Sequence, residues 1–300
     1  MSSLRDHCTV LAPAKINLGL RILGKRPDGY HELETTFVAV DLYDQLSFGR
    51  TGTGGFILTC ESADPDQPVA DLDTGEGNLI TRAVRLVERD CSLTANLTVH
   101  LVKRIPIAAG LGGGSADAAA TLMAMNRLYA LRRSPDQLAA WAEQLGSDVP
   151  FFLGSPCAFG TGRGERLQPR AIFASWWAVL ACPDLLLPTR EVYAALDLTS
   201  PPESSHVSHC LAGEGFFAAL VRIHNDLEPV VIRRVPEVLY WRTQLQEMGA
   251  AGVYVSGSGP TVFGIFRQPP DHESVELRRR EGARLFVVRP VDTPLALVIG

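Results

Sequence analysis

Four glycines within five positions constrain this chain more than any other feature. They lie in Pro106-Ile-Ala-Ala-Gly-Leu-Gly-Gly-Gly-Ser115, between a strand-like run at residues 96–103 and a run rich in Ala, Leu and Met at residues 115–131. Glycine lets the backbone take positive φ and approach other groups closely. A helix that starts directly behind such a loop turns its unpaired N–H groups towards one anion, which suits the phosphates of a nucleotide. The loop has no Lys-Ser/Thr ending of a P-loop, and Gly110-x-Gly112-x-x-Ser115 lacks the third glycine of the dinucleotide fingerprint. Neither of those folds is indicated. Taken alone, the segment is compatible with an anion-binding turn and with a plain flexible connection.

Residues 15–23 alternate, with Ile16, Leu18, Leu20 and Ile22 facing one way and Lys15, Asn17, Gly19 and Arg21 the other. That period predicts a half-buried strand carrying Lys15 and Asn17 on one face. Further strands are predicted at residues 35–41, 56–60 and 96–103, with an amphipathic helix at 78–90. Helices follow at 115–131 and 135–145, the second stopping before Gly146. The N-terminal half therefore reads as mixed α/β. Beyond Gly160-Thr-Gly-Arg-Gly164 the pattern changes to a strand at 176–181, helices near 190–196, 210–223 and 236–248, and strands at 252–255 and 261–266. Residues 197–209, rich in Pro, Ser and Thr, read as a surface loop. A chain of 300 residues exceeds the usual size of one hydrophobic core. Two lobes with a cleft between them are expected, residues 1–160 and 161–300, with the last strands free to return to the first lobe.

The net charge of -5 excludes a protein that neutralises many nucleic-acid phosphates, so an anionic ligand must be met by locally placed cations. The six cysteines, at positions 8, 60, 91, 157, 182 and 210, include no Cys-x-x-Cys pair and read as reduced packing thiols. The N-terminus has no apolar signal segment, and the apolar run at 172–182 is too short to span a bilayer. A cytoplasmic protein without nucleic-acid or membrane partners is expected, as a monomer or weak homodimer.

Three groups of residues bear on chemistry. Ser115 stands where its hydroxyl can donate to a phosphate or ligate magnesium, whereas Asp117 is favoured in the first helical turn by the dipole alone. Asp148, in Leu145-Gly-Ser-Asp-Val-Pro150, sits among apolar residues where a carboxylate needs a partner. Lys15, on a facing strand, would supply one. Phosphoryl transfer needs a carboxylate by the attacking hydroxyl and cations by the transferring group, and Asp148 and Lys15 fit those two roles. A helix-flanking carboxylate and an edge-strand lysine are the plainer alternative. Ser256-Gly-Ser-Gly-Pro-Thr261 joins two strands and can approach a ligand closely or simply turn the chain. It is no hydrolase elbow, since Ser256 stands where the first glycine would be needed. His31-Glu32 lacks the second histidine of a zincin, Thr35 standing there, and His206-x-x-His209-Cys210 lies in a polar loop without further ligands. No metal ligands are assigned.

The elements at 106–115, Gly146-Ser-Asp-Val-Pro150 and Ser256–Thr261, in this order, resemble the superfamily of galactokinase, homoserine, mevalonate and phosphomevalonate (GHMP) kinases. The resemblance spans nearly the whole chain. Pro13-Ala-Lys-Ile-Asn17 and Arg26-Pro-Asp-Gly-Tyr-His-Glu-Leu-Glu-Thr35 are similar, within it, to the family that acts on diphosphocytidyl methylerythritol in the non-mevalonate isoprenoid pathway. The resemblance implies an α+β, two-lobed GHMP kinase fold with an ATP-binding N-terminal lobe, a substrate-binding C-terminal lobe and an active site in the cleft between them. It implies ATP-dependent phosphorylation of the 2-hydroxyl with magnesium. Asp148 would be the general base and Lys15 would hold it ionised. ATP would lie on Pro106, Ile107, Ala108, Ala109, Gly110, Leu111, Gly112, Gly113, Gly114, Ser115 and Ala116, with Asn78 and Lys103 near adenine. Asn17, Tyr30, His31, Thr189 and Tyr193 would bind the acceptor, and Asn225 and Asp226 read first as a helix cap. The alternatives are a sister kinase acting on mevalonate or homoserine and a catalytically silent ATP-binding protein.

Overall fold

Two long antiparallel strands, β1 (His7–Lys25) and β2 (His31–Arg50), run side by side for most of their length. The fold is given by a computed structural model that describes residues 6–64, 72–171, 175–197, 215–278 and 283–298. Both strands extend well beyond the predicted runs, because bulges after Pro13, Asn17 and Ile22 shift the side-chain phase, which hides a long strand from a strict two-residue period. The N-terminal half of β2 pairs with β5 (Cys157–Thr161), which pairs with β6 (Arg166–Pro169). The C-terminal half of β2 pairs with β4 (Leu97–Lys103), which lies parallel to β3 (Phe56–Ser62). On the other side of β1 lies β11 (Ala296–Val298), so the chain end returns to the first sheet. Residue 160 falls inside β5, and both β5 and β6 belong to that sheet.

Helices α1 (Leu79–Cys91), α2 (Gly113–Leu128), α3 (Pro135–Leu145) and the short α4 (Val149–Leu153) cover the first sheet. Asn78 caps α1 and Ser134 caps α3 through a full capping box, the local chemistry expected at such helix starts. Helix α2 is apolar nearly all round and buries Ala116, Ala118, Ala119, Ala120, Leu122, Ala124 and Met125. It packs on α1, α3, α4, β1 and β2. An all-round apolar helix belongs at the centre of a core, and this one holds the glycine loop at its N-terminus against β1.

The second sheet is antiparallel, in the order β10 (Ala283–Val288), β7 (Trp177–Pro183), β9 (Val262–Phe266), β8 (Gly252–Val255). With it go α5 (Thr189–Ala194), α6 (Phe216–Ala219), α7 (Glu228–Arg234), α8 (Glu237–Glu247) and α9 (His272–Arg278). One apolar cluster joins the sheets, with Ala14, Ile16 and Leu18 of β1 and Val38 and Val40 of β2 packing with Leu180, Phe263 and Ile265. Two backbone seams lock the joint. Leu20 pairs with His224 and Asp226, and Asp41 with Arg289.

The helix expected at 210–223 is described from Phe216 onward as α6 followed by a 3-10 turn at Leu220–Arg222. His206, His209, Cys210 and most of the loop expected at 197–209 lie outside the described residues. Among the described residues, no helix is long and apolar enough to cross a membrane. The five described cysteines are free, and burial pushes Cys157 up to about 12 and Cys182 up to about 11, which fits inert packing thiols.

Candidate active site

A cleft of about 1260 Å³ opens where the lobes meet, more than one drug-sized ligand fills. It is walled by β1, β2, the glycine loop, Asp148, the turn at 162–164, α5 and Gly257–Ser258. Gly110 and Gly112 take φ of +76° and +72°, the left-handed region that glycine enters without a Cβ penalty. A Cβ on Gly110 would stand 2.4 Å from the carbonyl oxygen of Ser256, and one on Gly112 would stand 2.9 Å from Cγ of Lys15. Ala108 enters the same region at φ +53°, at a strain cost of about 1 to 2 kcal/mol.

Three segments are fastened around that loop. The Lys15 N–H donates to the Leu111 carbonyl at 2.9 Å. The Ser256 hydroxyl donates to the Gly110 carbonyl at 3.1 Å and accepts from the Asn17 N–H at 3.3 Å. Ala116 makes the first α2 bond, its N–H reaching Gly112 at 2.9 Å. Ahead of it, the amides of Gly113, Gly114 and Ser115 have no acceptor among the described residues, so they form the positive end of the helix dipole. Gly110→Ala is expected to raise the KM for ATP by about tenfold or more, equivalent to about 1.4 kcal/mol, since strain and a backbone clash add. Steady-state kinetics at varied ATP check this, and an unchanged KM would show that the loop accommodates a Cβ.

Lys15 Nζ lies 3.4 Å from Asp148 Oδ2 and donates to Asn17 Oδ1 at 2.5 Å. The lysine side chain is 5% exposed and the aspartate 33%, so a buried ammonium holds a carboxylate that still faces the cleft. Asp148 is the N-cap residue of α4 but makes no capping bond, which leaves its oxygens for the cleft. Asn17 is spent at both ends. Its Nδ2 donates to Thr35 Oγ1 at 2.9 Å, and Thr35 donates to the Gly19 carbonyl at 2.6 Å. It orients Lys15 by a fixed chain of bonds.

At another part of the cleft wall, Lys103 donates to Asp44 at 2.5 Å and to Asp117 at 2.9 Å, all three being buried. Burial opposes its charge, but the two carboxylates outweigh this and hold it above the ordinary lysine range. Burial, together with Asp44, pushes Asp117 up to about 7 against the pull of Lys103. Asp117 Oδ1 is buried without a partner. Asp117 is thus a counter-ion of Lys103 rather than a dipole ornament, and Asp44 was not singled out from sequence. Its signal is a charged residue inside the apolar run Leu42-Tyr-Asp-Gln-Leu46. Asn78 lines the cleft with its side chain engaged, accepting from Ile80 N–H at 2.8 Å and donating to the Asp73 carbonyl at 2.7 Å. Ala116 departs from the expectation. It is fully buried in the α2 core with its N–H used in the helix, because the helix has by then turned that position away from the cleft.

Tyr30, His31, Thr189 and Tyr193 meet across the cleft. Asp28 accepts from the Tyr30 N–H at 3.1 Å and Gly29 takes φ +86°, an Asx-turn arrangement that displays Tyr30. The His31 and Tyr193 rings are 5.2 Å apart, tilted by 37°. Burial and Lys25 lower the His31 pKa, leaving a neutral ring at pH 7. Thr189 Oγ1 is 2.9 Å from Ser258 Oγ, which ties α5 to the Ser256–Thr261 turn. Asn225 and Asp226 do not cap α7, whose N-cap position falls on Leu227 without a side-chain bond, and Asn225 works in the preceding turn instead. Its Oδ1 accepts from Leu227 N–H, and its Nδ2 donates to the carbonyls of Val255 and Gly257 at 3.0 and 2.7 Å, holding the same turn from behind.

A glycine loop feeding a helix, a Lys–Asp pair facing it and a two-lobed α+β frame define a small-molecule kinase of the GHMP class. The family model of the GHMP kinase N-terminal domain matches residues 78–155, and that of the C-terminal domain matches residues 214–284. The fold resembles a crystal structure of homoserine kinase from Cytophaga hutchinsonii, with a TM-score of 0.74 at 18% identity over 99% of both chains. A solved 4-(cytidine 5'-diphospho)-2C-methyl-D-erythritol kinase aligns with a TM-score of 0.77 at 35% identity, covering 94% of this chain and 99% of that one. The 4-diphosphocytidyl-2-C-methyl-D-erythritol kinase of Pelotomaculum thermopropionicum is 41% identical, over 96% of this chain and 99% of its own. The chain belongs to the family of 4-diphosphocytidyl-2-C-methyl-D-erythritol kinases.

Proposed function

We propose that this kinase transfers the γ-phosphoryl group of ATP to the 2-hydroxyl of 4-diphosphocytidyl-2-C-methyl-D-erythritol, giving the 2-phosphate and ADP. The observation that carries the reading is one cleft that joins the glycine loop, the Lys15–Asp148 pair and the Tyr30–His31–Tyr193 aromatic group. The amides of the loop and of Gly113, Gly114 and Ser115 hold the phosphates of ATP, and the glycines keep that cradle free of side chains. Residues 78 and 103 lie on the adenine side. The lobe of the first sheet carries ATP, and the lobe of the second sheet brings Thr189 and Tyr193 to the acceptor.

The acceptor hydroxyl lies on the cleft side of the Lys15–Asp148 pair, within hydrogen-bond reach of both. Asp148 accepts its hydrogen bond and then its proton as the bond to phosphorus forms. Lys15 places an opposite charge beside Asp148 and stabilises charge developing on the attacking oxygen. Because the phosphoryl transition state is loose, most of the benefit comes from orientation and electrostatics. Magnesium bound with the nucleotide would neutralise phosphate charge, and Ser115 at the start of α2 would help to hold it. The neutral His31 ring and the two tyrosines suit stacking on an uncharged pyrimidine.

Steady-state phosphorylation with magnesium and ATP tests this. Turnover is expected with the diphosphocytidyl compound, and none with mevalonate or homoserine, which offer no base to the aromatic group. Turnover of either of those without the cytidylyl compound would sink the assignment.

A further inference from the structure

We propose that Arg163 is a positioning residue for the pyrimidine end of the substrate, stacking on one face of Tyr30 so that the other face is presented ready to receive the base. The proposal rests on the reading of the cleft given above. The Arg163 guanidinium carbon lies 4.7 Å from the centre of the Tyr30 ring, and both residues line the cleft. Tyr30 is 54% exposed, so the ring has a free surface even with its arginine neighbour in place. A tyrosine on a hairpin tip would otherwise sample several rotamers and lose that freedom on binding. A guanidinium laid on one face removes part of that loss beforehand, since arginine stacks on aromatic rings as a planar cation.

The arginine is itself held in place. Gly162 and Gly164 take φ of +75° and +103° on either side of it. Its N–H donates to Glu165 Oε2 at 2.6 Å, and the Leu33 N–H donates to the Gly162 carbonyl at 2.8 Å, which fastens the turn to β2 two residues beyond His31. Gly164 packs on the Phe37 ring, where a Cβ would come within 3.2 Å. The Arg163 guanidinium is in no close ion pair, although it acts at longer range on the Asp28 carboxylate. Among the described residues, no carboxylate lies within ion-pairing distance of it, whereas Arg26 in the same region engages both Asp28 and Glu32. The turn thus carries a planar cation at its tip, laid on Tyr30, the exposed aromatic among the described residues of the cleft.

Binding of cytidine, CMP and CDP to wild type, Arg163→Leu and Arg163→Lys, measured by calorimetry, tests this. Arg163→Leu is expected to weaken cytidine and CDP by the same factor, about three- to tenfold, and to raise the KM of the acceptor substrate by that factor. The kcat at saturation and the KM for ATP should hold, and Arg163→Lys should recover part of the loss. Loss confined to CDP, with cytidine unaffected, would make Arg163 a phosphate contact and overturn the proposal alone, as would unchanged affinity for every ligand. A wild-type protein that binds none of the three overturns the reading of the cleft, and the proposal with it.

Discussion

Asp148→Asn is expected to lower kcat by about 10²- to 10⁴-fold, with the KM for ATP within a few-fold of wild type. Asparagine keeps the shape of the side chain at the N-cap of α4, where it makes no capping bond, so the fold has little reason to change. What is lost is the carboxylate facing Lys15 Nζ at 3.4 Å, the proposed proton acceptor. A loss at the low end would point to electrostatic orientation of the hydroxyl, and one at the high end to full proton removal, because a loose transition state asks little of a base. Single-turnover phosphorylation with saturating ATP separates chemistry from product release. Near-normal turnover would remove Asp148 from the reaction, and the reading of the 5% exposed Lys15 as its partner would become structural only.

The second large effect falls on stability. Lys103→Met is expected to destabilise the fold by about 3 to 5 kcal/mol, the usual result of removing one member of a buried ion pair. The wild-type lysine neutralises Asp44 and Asp117, both buried. Without it, two carboxylates face each other in the first lobe. Urea denaturation with one probe in each lobe measures the change, and a loss under about 1 kcal/mol would mean that the carboxylates find another partner. A pH dependence follows from the same cluster. Asp117 moves from an ordinary 3.8 up to about 7 in the folded chain, mainly through burial, so it binds its proton more tightly folded than unfolded. Its contribution to stability is fully present below about pH 4 and is lost as pH rises towards and through about 7. Asp117→Asn should flatten that part of the stability profile. An unaltered profile would show that Asp117 stays ionised throughout, neutralised by Lys103.

Much of the frame was legible from local signals. Asn78 before an amphipathic run, Pro135 at a helix start and Gly146 at its stop are capping chemistry that acts within a few residues, and α1 and α3 begin and end where those signals stand. The short strands β8 and β9 were equally plain, being apolar runs on either side of a Gly-rich turn. Less legible were β5, β6 and β11, whose runs are short and show no clean alternation. They are strands because β2, β5 and β1 offer them an edge, and that pairing depends on context more than on propensity. Asp44 was missed for a related reason. The antiparallel register that sets Gln45 against Val102 brings Asp44 to Lys103, and nothing within either strand announces the meeting.

By itself, the sequence determined which chemistry the chain can carry: a glycine loop at a helix start, a lysine on a strand face, an aspartate beyond a helix stop, and a turn with Tyr30 and His31. These are properties of residue type and short-range spacing. Tertiary structure alone decided how those parts divide the work. It turned Ala116 into the core, committed Asn17 to Thr35, set two carboxylates on Lys103 and laid Arg163 over Tyr30. Each of those outcomes depends on side chains from segments far apart in the chain, whose distances are set only when the sheets, helices and turns pack around shared apolar clusters.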